Sequence, residues 1–339
     1  MRRILLIGYG TLGAYAAEEL LNQGWSIDVI ALEEHFSFNR NVRFFKGRAT
    51  DEMLKDLFCT NRYDAIIDYI HYNDVESFKR RAKLMLDNTD QYIFLSSYRV
   101  YAESKVPITE DSAQLLDTVN DRYYLDHESY AIPKSRNENT LRASGRKNWT
   151  IVRPLISFSH YRLDMVTQGG YILITRSRAG KEILVPEISR LNTAGIGWAG
   201  NIGRMFGRLA GNEQALGEAF TLGTGEKKTW EDVAGYYAET IGARFKWVST
   251  EDYFKYATMN SFNDRCALLT DRAYDREINA DKVKRVTGLK STDFLNIHQG
   301  IIRELNILSE RPELVEKMGS DTYKEISRRM DEYLSKQSI

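Results

Sequence analysis

Short apolar runs alternate with segments of helical spacing along the first 155 residues. An apolar run of four to eight residues is typical of a buried strand, whereas apolar residues three and four positions apart are typical of a helix. The runs that predict strands are 4–7, 27–32, 42–45, 65–70, 92–95 and 150–152, and the segments that predict helices are 13–22, 53–57, 75–86 and 130–144. Because strands that alternate with helices form parallel sheets covered on both faces, this pattern predicts an α/β fold with a doubly wound sheet.

The alternation becomes weaker after residue 157. Strands are predicted at 171–175, 183–186, 219–222 and 246–248, helices at 198–209 and 230–241, and mostly helical structure follows from about 279. We therefore predict one unit over 1–157, to which 192–224 returns, and a smaller C-terminal α+β lobe over 158–191 and 225–310. The charged, amphipathic residues 311–339 predict a helical extension.

Composition and charge exclude several function classes. The 339 residues carry 47 Lys and Arg against 47 Asp and Glu, and this zero net charge argues against a general nucleic-acid or membrane-surface binder. The N-terminus runs directly into a strand and does not resemble a signal peptide. Two cysteines and five scattered histidines provide neither a disulfide framework nor a metal site. We expect a soluble, cytoplasmic, metal-free protein without nucleic-acid or membrane partners.

A glycine-rich motif follows the first predicted strand directly. Gly8, Gly10 and Gly13 form G-x-G-x-x-G with Thr11 and Leu12, between a strand and a helix. In this context glycines allow a tight turn and a close backbone approach, and the helix N-terminus offers free N–H groups to a pyrophosphate. The motif predicts a Rossmann-type site for NAD(H) or NADP(H).

The end of the second strand bears on the choice between the two dinucleotides. A carboxylate there, about 20 residues after the loop, would bind the ribose 2′-OH of NAD. Ala31 falls at this end, Asp28 comes too early, and Glu33 can serve only if the strand runs two residues longer. Ala31 removes the usual repulsion toward a 2′-phosphate, which Arg40 or Arg43 can approach. The sequence therefore favours NADP(H) over NAD(H).

The spacing Tyr-x-x-x-Lys occurs twice, at Tyr101–Lys105 and at Tyr130–Lys134. Residues four apart on a helix share one face, and only the second pair opens a helical segment. Tyr101 follows the fifth strand in a turn, and a proline comes soon after Lys105. We interpret the first pair as incidental and the second as a candidate catalytic pair.

The candidate pair predicts proton transfer at a carbon that exchanges hydride. An ammonium one turn along a helix favours the phenolate of a tyrosine, which can then exchange a proton with a substrate oxygen. The same lysine can bond the cofactor ribose. Ser96 and Ser97 lie at the C-terminal end of the fifth strand, where open α/β sheets bind ligands, so a hydroxyl there can hold the substrate oxygen.

In combination these pieces resemble the extended short-chain dehydrogenase/reductase family, which contains NAD-dependent epimerases, reductases and dehydratases of nucleotide-linked sugars. The matching segments are 8–13, 94–101, 107–111, 130–134, 152–154, 217–223 and 229–230, and the resemblance spans residues 1–310. By this resemblance Ser97 orients the substrate oxygen, Tyr130 is the acid–base group, and Lys134 supports the tyrosine and the ribose. It also implies that the segments after 157 bind a nucleotide-linked substrate and that helices 75–86 and 130–144 form a homodimer.

The resemblance extends to further candidate contacts. Implied cofactor contacts come from Gly8, Gly10, Thr11, Leu12, Gly13, Ala31, Glu33, Tyr69, Ile70, Ser96, Tyr130, Lys134 and Pro154. Implied substrate contacts come from Ser97, Tyr98, Arg99, Tyr130, Ile156, Arg162, Arg176 and Trp198.

Three positions depart from the family pattern. Ile7 replaces the first glycine of its loop, and Tyr98 with Arg99 replaces the Asp-Glu pair of the dehydratases, so water elimination is disfavoured. Ile156 replaces an asparagine that often touches the substrate diphosphate. Arg162 and Arg176 can supply that contact from the smaller lobe instead.

Hydride transfer to or from a nucleotide-linked sugar or ketose is the function that the sequence favours. A reductase transfers hydride once and then exchanges its cofactor. An epimerase oxidises and re-reduces the same carbon and keeps its cofactor bound. We favour a reductase, because a departing NADP suits the missing strand-end acid. The chain also resembles bacterial epimerase-like proteins of surface-polysaccharide (capsule) pathways, including reductases of nucleotide-linked ketoses. A non-catalytic dinucleotide-sensing protein is a further alternative, although such proteins tend to lose the tyrosine or the lysine.

Overall fold

Seven parallel strands form the central sheet in the computed structural model, which describes residues 2–337. Residue 1, the first of the predicted 1–157 unit, lies outside the described residues. So do residues 338–339, the last of the predicted 311–339 extension. The strands are β1 (Arg3–Ile7), β2 (Ser26–Ala31), β3 (Val42–Lys46), β4 (Ala65–Asp68), β5 (Tyr92–Leu95), β6 (Trp149–Pro154), β7 (Ile156–Phe158), β8 (Asp164–Met165), β9 (Gln168–Gly169), β10 (Glu182–Pro186), β11 (Ile196–Trp198), β12 (Glu218–Leu222) and β13 (Arg244–Val248). The sheet order is β12-β6-β5-β4-β1-β2-β3, which confirms the predicted doubly wound α/β fold.

Helices cover both faces of this sheet. They are α1 (Thr11–Asn22), α2 (Asp51–Thr60), α3 (Val75–Asp87), α4 (Leu115–Thr118), α5 (Arg122–His127), α6 (Ala131–Arg142), α7 (Gly170–Arg178), α8 (Ala199–Leu209), α9 (Trp230–Ile241), α10 (Thr250–Tyr256), α11 (Phe262–Ala267), α12 (Asp281–Thr287), α13 (Ile297–Glu310), α14 (Glu313–Met318) and α15 (Asp321–Lys336). Short 3₁₀ turns occupy Tyr98–Val100, Glu187–Ser189, Glu213–Ala215 and Ser291–Asp293, and Leu268–Arg272 is a π-helical turn.

The core of the sheet explains why its strands are apolar almost throughout. Helices α1 and α8 bury one face with β1 and β2, whereas α2, α3 and α6 bury the other. A strand buried on both faces carries a nearly continuous apolar run. The edge strand β12 pairs with β6 in parallel register, so a segment from late in the chain completes the sheet. The predicted domain boundaries themselves remain predictions.

One element differs from its predicted type. Residues 171–175 were expected as a strand, but they belong to helix α7. The isoleucines and threonine in this segment suit a strand, yet Ile172, Leu173 and Ile174 are all buried in the core of the smaller lobe. Tertiary packing therefore overrides local β-propensity here, because α7 packs against β10, α14 and α15.

The C-terminal helix packs on the smaller lobe through α7. Arg176 Nη2 lies 2.9 Å from Asp331 Oδ1, and its Nη1 donates to the carbonyl of Ser327 at 2.9 Å. Asp331 also pairs with Lys181 at 2.6 Å. Within residues 2–337 no helix is both long and apolar enough to cross a bilayer. The same residues hold no group of three or more His, Cys, Asp or Glu arranged for a metal ion.

Candidate active site

The glycine loop forms a tight turn between β1 and α1. Gly8 has a φ of +105°, which side-chain-bearing residues rarely adopt, and Gly10 is the N-cap of α1. A Cβ on Gly13 would lie 2.7 Å from the carbonyl oxygen of Gly8, so only glycine fits there. The first turn of α1 therefore presents its backbone N–H groups to the space above the loop.

A cavity of about 430 Å³ opens above this loop, at the carboxyl ends of β1, β5 and β6. Its lining comprises Gly8, Gly10, Thr11, Leu12, Gly13, Tyr69, Leu95, Ser96, Ser97, Tyr98, Arg99, Tyr130, Pro154, Leu155, Ile156, Ser157, Arg162 and Arg272. Most residues proposed from the sequence as cofactor or substrate contacts thus share one cavity. Its place at the strand ends is where open α/β sheets bind ligands.

The two serines after β5 make different contacts. Ser96 is buried, and its hydroxyl donates to Glu138 Oε1 at 2.6 Å. The Ser97 hydroxyl accepts from the backbone N–H of Arg99 at 3.2 Å and caps the turn Tyr98–Val100. Ser97 therefore combines a capping role with a position on the cavity wall, whereas Ser96 anchors the end of β5.

Tyr130 stands at the start of α6, where its backbone is not yet helical, with φ −129° and ψ −64°. Its ring lines the cavity and is partly exposed. The Arg99 guanidinium lies 4.8 Å from the ring centre, and the imidazole of His71 stacks on it at 5.3 Å and 24°. The side chain that the sequence proposes as the acid–base group thus faces the cavity between two basic neighbours.

Lys134, one turn further along α6, is almost completely buried. Its Nζ donates to the backbone carbonyls of Leu95 and Ile70, so it ties α6 to the ends of β5 and β4. Burial lowers the pKa of Lys134 to about 8, although Asp68 and Glu138 oppose this shift. The lysine therefore lies beneath the cavity floor.

A buried ion pair holds the elements that carry these side chains. Glu138, one turn beyond Lys134, accepts from Arg153 Nη2 at 2.6 Å and from Nε at 2.9 Å. Burial alone would raise the pKa of Glu138, but Arg153 and the Ser96 hydroxyl outweigh this effect and lower it. The pair joins α6 to β6, and through Ser96 to β5.

The lining of the cavity is rich in arginine. Arg99, Arg162 and Arg272 line it, whereas no carboxylate appears among the lining residues described above. Sequence reasoning missed Arg272, which ends the π-helical turn Leu268–Arg272. No simple sequence pattern marks it, since the Asp-Arg pair at 271–272 is an ordinary charged pair that follows the apolar run 266–269 after one threonine. Arg272 is bonded to Asp271, and its buried Nε has no hydrogen-bond partner.

Two proposed substrate contacts require correction. Arg176 is buried against α15 and does not line the cavity, because the C-terminal helix supplies its partners. The indole N–H of Trp198 donates to Glu304 at 2.6 Å, and its ring packs on Tyr15 rather than on the cavity wall. The surroundings of these two side chains could not be predicted from the sequence, because they depend on how α13 and α15 pack.

The carboxyl end of β2 lies beside that of β1, at the same edge of the sheet. Ala31 ends the strand and is buried, whereas Glu33 is exposed just beyond it. Asp28 points away, as expected, and accepts from Arg43 at 2.7 and 2.8 Å and from Tyr63 at 2.7 Å. Because Arg43 is paired with this buried carboxylate, it does not offer a free cation at the strand end.

Solved structures share this architecture over nearly the whole chain. Epimerase Mth375 from Methanothermobacter thermautotrophicus has a TM-score of 0.68 at 16% identity, covering 93% of this chain and 95% of that one. Bordetella bronchiseptica WbmH, solved with NAD+, has a TM-score of 0.66 at 16% identity over 92% of this chain and 99% of that one. UDP-glucose 4-epimerase from Bifidobacterium longum, solved with NAD+ and UDP, has a TM-score of 0.60 at 17% identity over 91% and 99%.

The chain therefore shares the fold of these solved structures. No protein-family model and no curated protein matches the sequence. At these identities the likeness concerns the fold, so the chemistry of a short-chain dehydrogenase/reductase has to be argued from the cavity residues of this chain.

Proposed function

We propose that the protein is an NAD(H)-dependent oxidoreductase that acts on an alcohol or ketone carbon of a nucleotide-linked sugar. One observation carries the proposal: a single cavity unites a phosphate-binding loop, a serine, a tyrosine and an arginine-rich wall. A dinucleotide-sensing protein would need the loop but not the other three features. The similar structures solved with NAD+ or with UDP support the same assignment.

The loop residues fit a dinucleotide. Gly8 adopts a φ of +105°, and Gly13 leaves room where a Cβ would collide with the Gly8 carbonyl oxygen. Thr11 begins the helix whose N-terminus faces the cavity. We favour NAD(H), in contrast to the expectation from the sequence. Glu33 is available beyond β2 for a ribose hydroxyl, whereas Arg43 is held by Asp28 and is not free for a 2′-phosphate.

Each of the residues at the cavity then has a separate role in the reaction. A bound nicotinamide supplies the acceptor or donor of hydride. The Tyr130 hydroxyl moves a proton to or from the substrate oxygen, and the Ser97 hydroxyl orients that oxygen by a hydrogen bond. Lys134 fixes the end of β5 through the Leu95 carbonyl and, from below, supports the ribose.

The arginines supply a site for the phosphates of the substrate. Arg162 forms a bidentate pair with Asp164 at 2.8 and 3.2 Å and still lines the cavity, as does Arg272. Guanidinium groups bind phosphate oxygens by paired N–H donors. We propose that Arg162 and Arg272 take the role of the family asparagine that Ile156 replaces.

The turn at Ser159 and His160 is held by hydrogen bonds to neighbouring segments. This favours a cofactor that stays bound, and therefore an epimerase over a reductase. The turn that follows β7 touches the glycine loop, since the hydroxyls of Ser159 and Thr11 lie 3.2 Å apart. The backbone N–H and the ring of His160 both contact Glu304 at 2.7 Å, and Glu304 also accepts from Tyr15 of α1 at 2.5 Å. Release of a dinucleotide would require this turn to move.

The predicted homodimer remains a prediction. The expected contact helices correspond to α3 and α6, which pack against each other within the chain. The exposed face of α3 carries Glu76, Lys79, Arg80 and Lys83. A dimer through this face would have to pair or solvate these charges.

The test is to purify the protein, release any bound dinucleotide by denaturation, and identify it by chromatography. UDP-glucose, UDP-galactose and UDP-glucuronic acid are then offered with and without added NAD(H) or NADP(H). We expect bound NAD(H) and conversion of a nucleotide sugar without added cofactor. Tyr130→Phe should reduce turnover by about 10² or more, whereas Tyr123→Phe, at an exposed ring, should not.

Three outcomes would contradict the proposal. Absence of dinucleotide binding would exclude the oxidoreductase assignment altogether. Equal turnover by Tyr130→Phe and the wild type would remove Tyr130 from the chemistry. Net oxidation of added NADPH by a protein purified without dinucleotide would instead identify the reductase that the sequence favoured.

A further inference from the structure

His71 lies beside the proposed acid–base residue and has no part in the function proposed above. Its imidazole stacks on the Tyr130 ring with centres 5.3 Å apart. Arg99 places its guanidinium carbon 4.8 Å from the centre of the same ring. Both groups therefore lie within contact distance of the same phenol ring.

Both neighbours also hold the backbone around Tyr130. His71 Nε2 lies 2.8 Å from the carbonyl oxygen of Ser129, the residue before the tyrosine. Arg99 Nη2 lies 3.8 Å from Glu128, whose carboxylate accepts from the backbone N–H groups of Tyr130 and Ile132 at 3.1 and 2.9 Å. Each neighbour therefore fixes the ring and the turn from which it projects.

Such support is needed because α6 does not provide it. Tyr130 is the N-cap of α6, its backbone is outside the helical region, and its side chain is partly exposed. Lys134 donates its hydrogen bonds to the carbonyls of Leu95 and Ile70. A ring that transfers a proton must keep its oxygen within about 3 Å of the substrate oxygen, so its plane has to be fixed by other contacts.

We propose that His71 and Arg99 are positioning residues that together clamp the ring of Tyr130, and that the clamp requires a neutral His71. The inference rests on the function proposed above, in which Tyr130 carries the proton. The His71 Nε2 faces two oxygen atoms, Asn73 Oδ1 at 2.7 Å and Ser129 O, so it carries the ring proton. The Nδ1 atom is buried and has no partner.

Protonation of His71 would therefore place an unpaired N–H in the protein interior. Burial lowers the pKa of His71 below its ordinary value, and Lys134 adds to this, while Ser129, Asn73 and Glu128 oppose it. At neutral pH the imidazole is neutral and stacked. In acid a buried N–H without an acceptor, close to the Lys134 charge, opposes the stacked arrangement.

The first experiment observes the ring itself and needs no substrate. Tyrosines are labelled with ¹³C at Cζ, the Tyr130 resonance is assigned by its loss in Tyr130→Phe, and spectra are recorded from pH 8 to pH 5. In the wild type this resonance should shift with the titration of one imidazole. His71→Phe keeps a stacked ring that cannot titrate. In this variant the pH-dependent step in the chemical shift of Tyr130 should disappear.

A matched control variant tests whether the effect is specific. His127 stacks on Tyr123 at 4.0 Å and 15°, and neither residue lines the cavity. His127→Phe should leave the acid step of the Tyr130 resonance unchanged. A step that persists in His71→Phe, or a wild-type resonance that shows none, would overturn the proposal.

The second experiment separates positioning from binding by kinetics, with UDP-glucose or UDP-glucuronic acid, whichever is converted. His71→Ala and Arg99→Gln should each lower kcat by about tenfold to a hundredfold at pH 8, with KM changed less than threefold. His71→Phe should retain most of the wild-type kcat and lose the acid limb of the pH profile. A rise in KM at unchanged kcat would show substrate contacts instead and overturn the positioning role.

The two experiments distinguish failure of the clamp from failure of the function. If no nucleotide sugar is converted, the proposed function fails, and the resonance of Tyr130 still decides whether His71 holds the ring. If a sugar is converted and the variants behave like the wild type, the function stands and the clamp is wrong.

Discussion

Two tyrosine–lysine pairs with the same spacing have opposite surroundings in this chain. Tyr101 is fully buried, and its hydroxyl bonds to Thr221 at 2.6 Å and to Arg153 at 2.7 Å. Tyr130 lines the cavity and is partly exposed. The lysines are reversed: Lys105 is exposed, whereas Lys134 is buried beneath the cavity. The four-residue spacing is therefore shared, and the environment is not.

The comparison shows which part of a short motif carries chemistry. A tyrosine whose hydroxyl is already bonded on two sides stabilises the fold, since removing it leaves buried partners unpaired. A tyrosine that faces a cavity can exchange a proton with a ligand. The helical segment after Tyr130 singled out the pair at the cavity, although Tyr130 itself is the N-cap of α6 and lies outside its helical backbone.

The largest expected difference between the pairs is in turnover. Lys134→Met removes the ammonium that bonds the Leu95 carbonyl and that we propose to support the ribose, so kcat should fall by about 10² or more. Lys105→Met alters an exposed side chain and should leave kcat unchanged. Steady-state rates of the two variants with the same nucleotide sugar measure this. Equal loss in both variants would remove the distinction between the two lysines.

A smaller difference is expected in stability. Tyr101→Phe leaves Thr221 and Arg153 without a shared partner and should lower the free energy of unfolding by about 1–3 kcal/mol, with the activity retained. Tyr123→Phe, at an exposed ring, should change it by less than about 0.5 kcal/mol. Urea unfolding checks both values. Lost activity at unchanged stability in Tyr101→Phe would assign the first pair a role at the site.

A third difference, in the pH dependence of stability, follows from the pKa of Lys134, which is about 8 in the folded protein. An unfolded lysine titrates near pH 10.4, so between pH 8 and 10 the unfolded chain binds more protons than the folded one. This group therefore makes the free energy of unfolding rise with pH, by at most about 1.4 kcal/mol per pH unit. The rise should be absent in Lys134→Met and present in Lys105→Met, as urea unfolding at pH 7–10 would show.

Much of the fold followed from local patterns. The glycine motif required a strand before it and a helix after it, and both are present as β1 and α1. A helix was expected over 230–241, and α9 spans these residues, with Thr229 capping it by a reciprocal bond to Asp232. These predictions succeeded because a turn, a cap or a buried strand depends on residues that are close in sequence.

The remaining features depend on packing between distant segments. The segment 171–175 has strand-forming residues, and only its contacts with α14 and α15 select a helix. Arg176 looked like a phosphate ligand until α15 supplied Ser327 and Asp331. Arg272 reaches the cavity through a π-helical turn, which has no simple sequence signature.

The position of β12 has a consequence for any attempt to shorten the chain. A fragment that ended at residue 157 would leave β6 as an outer strand, although all six of its side chains are buried in the whole protein. Its unpaired backbone groups would offer a template for aggregation. During synthesis more than 60 residues separate this strand from its neighbour β12, so the central sheet is completed only after the intervening segment has emerged.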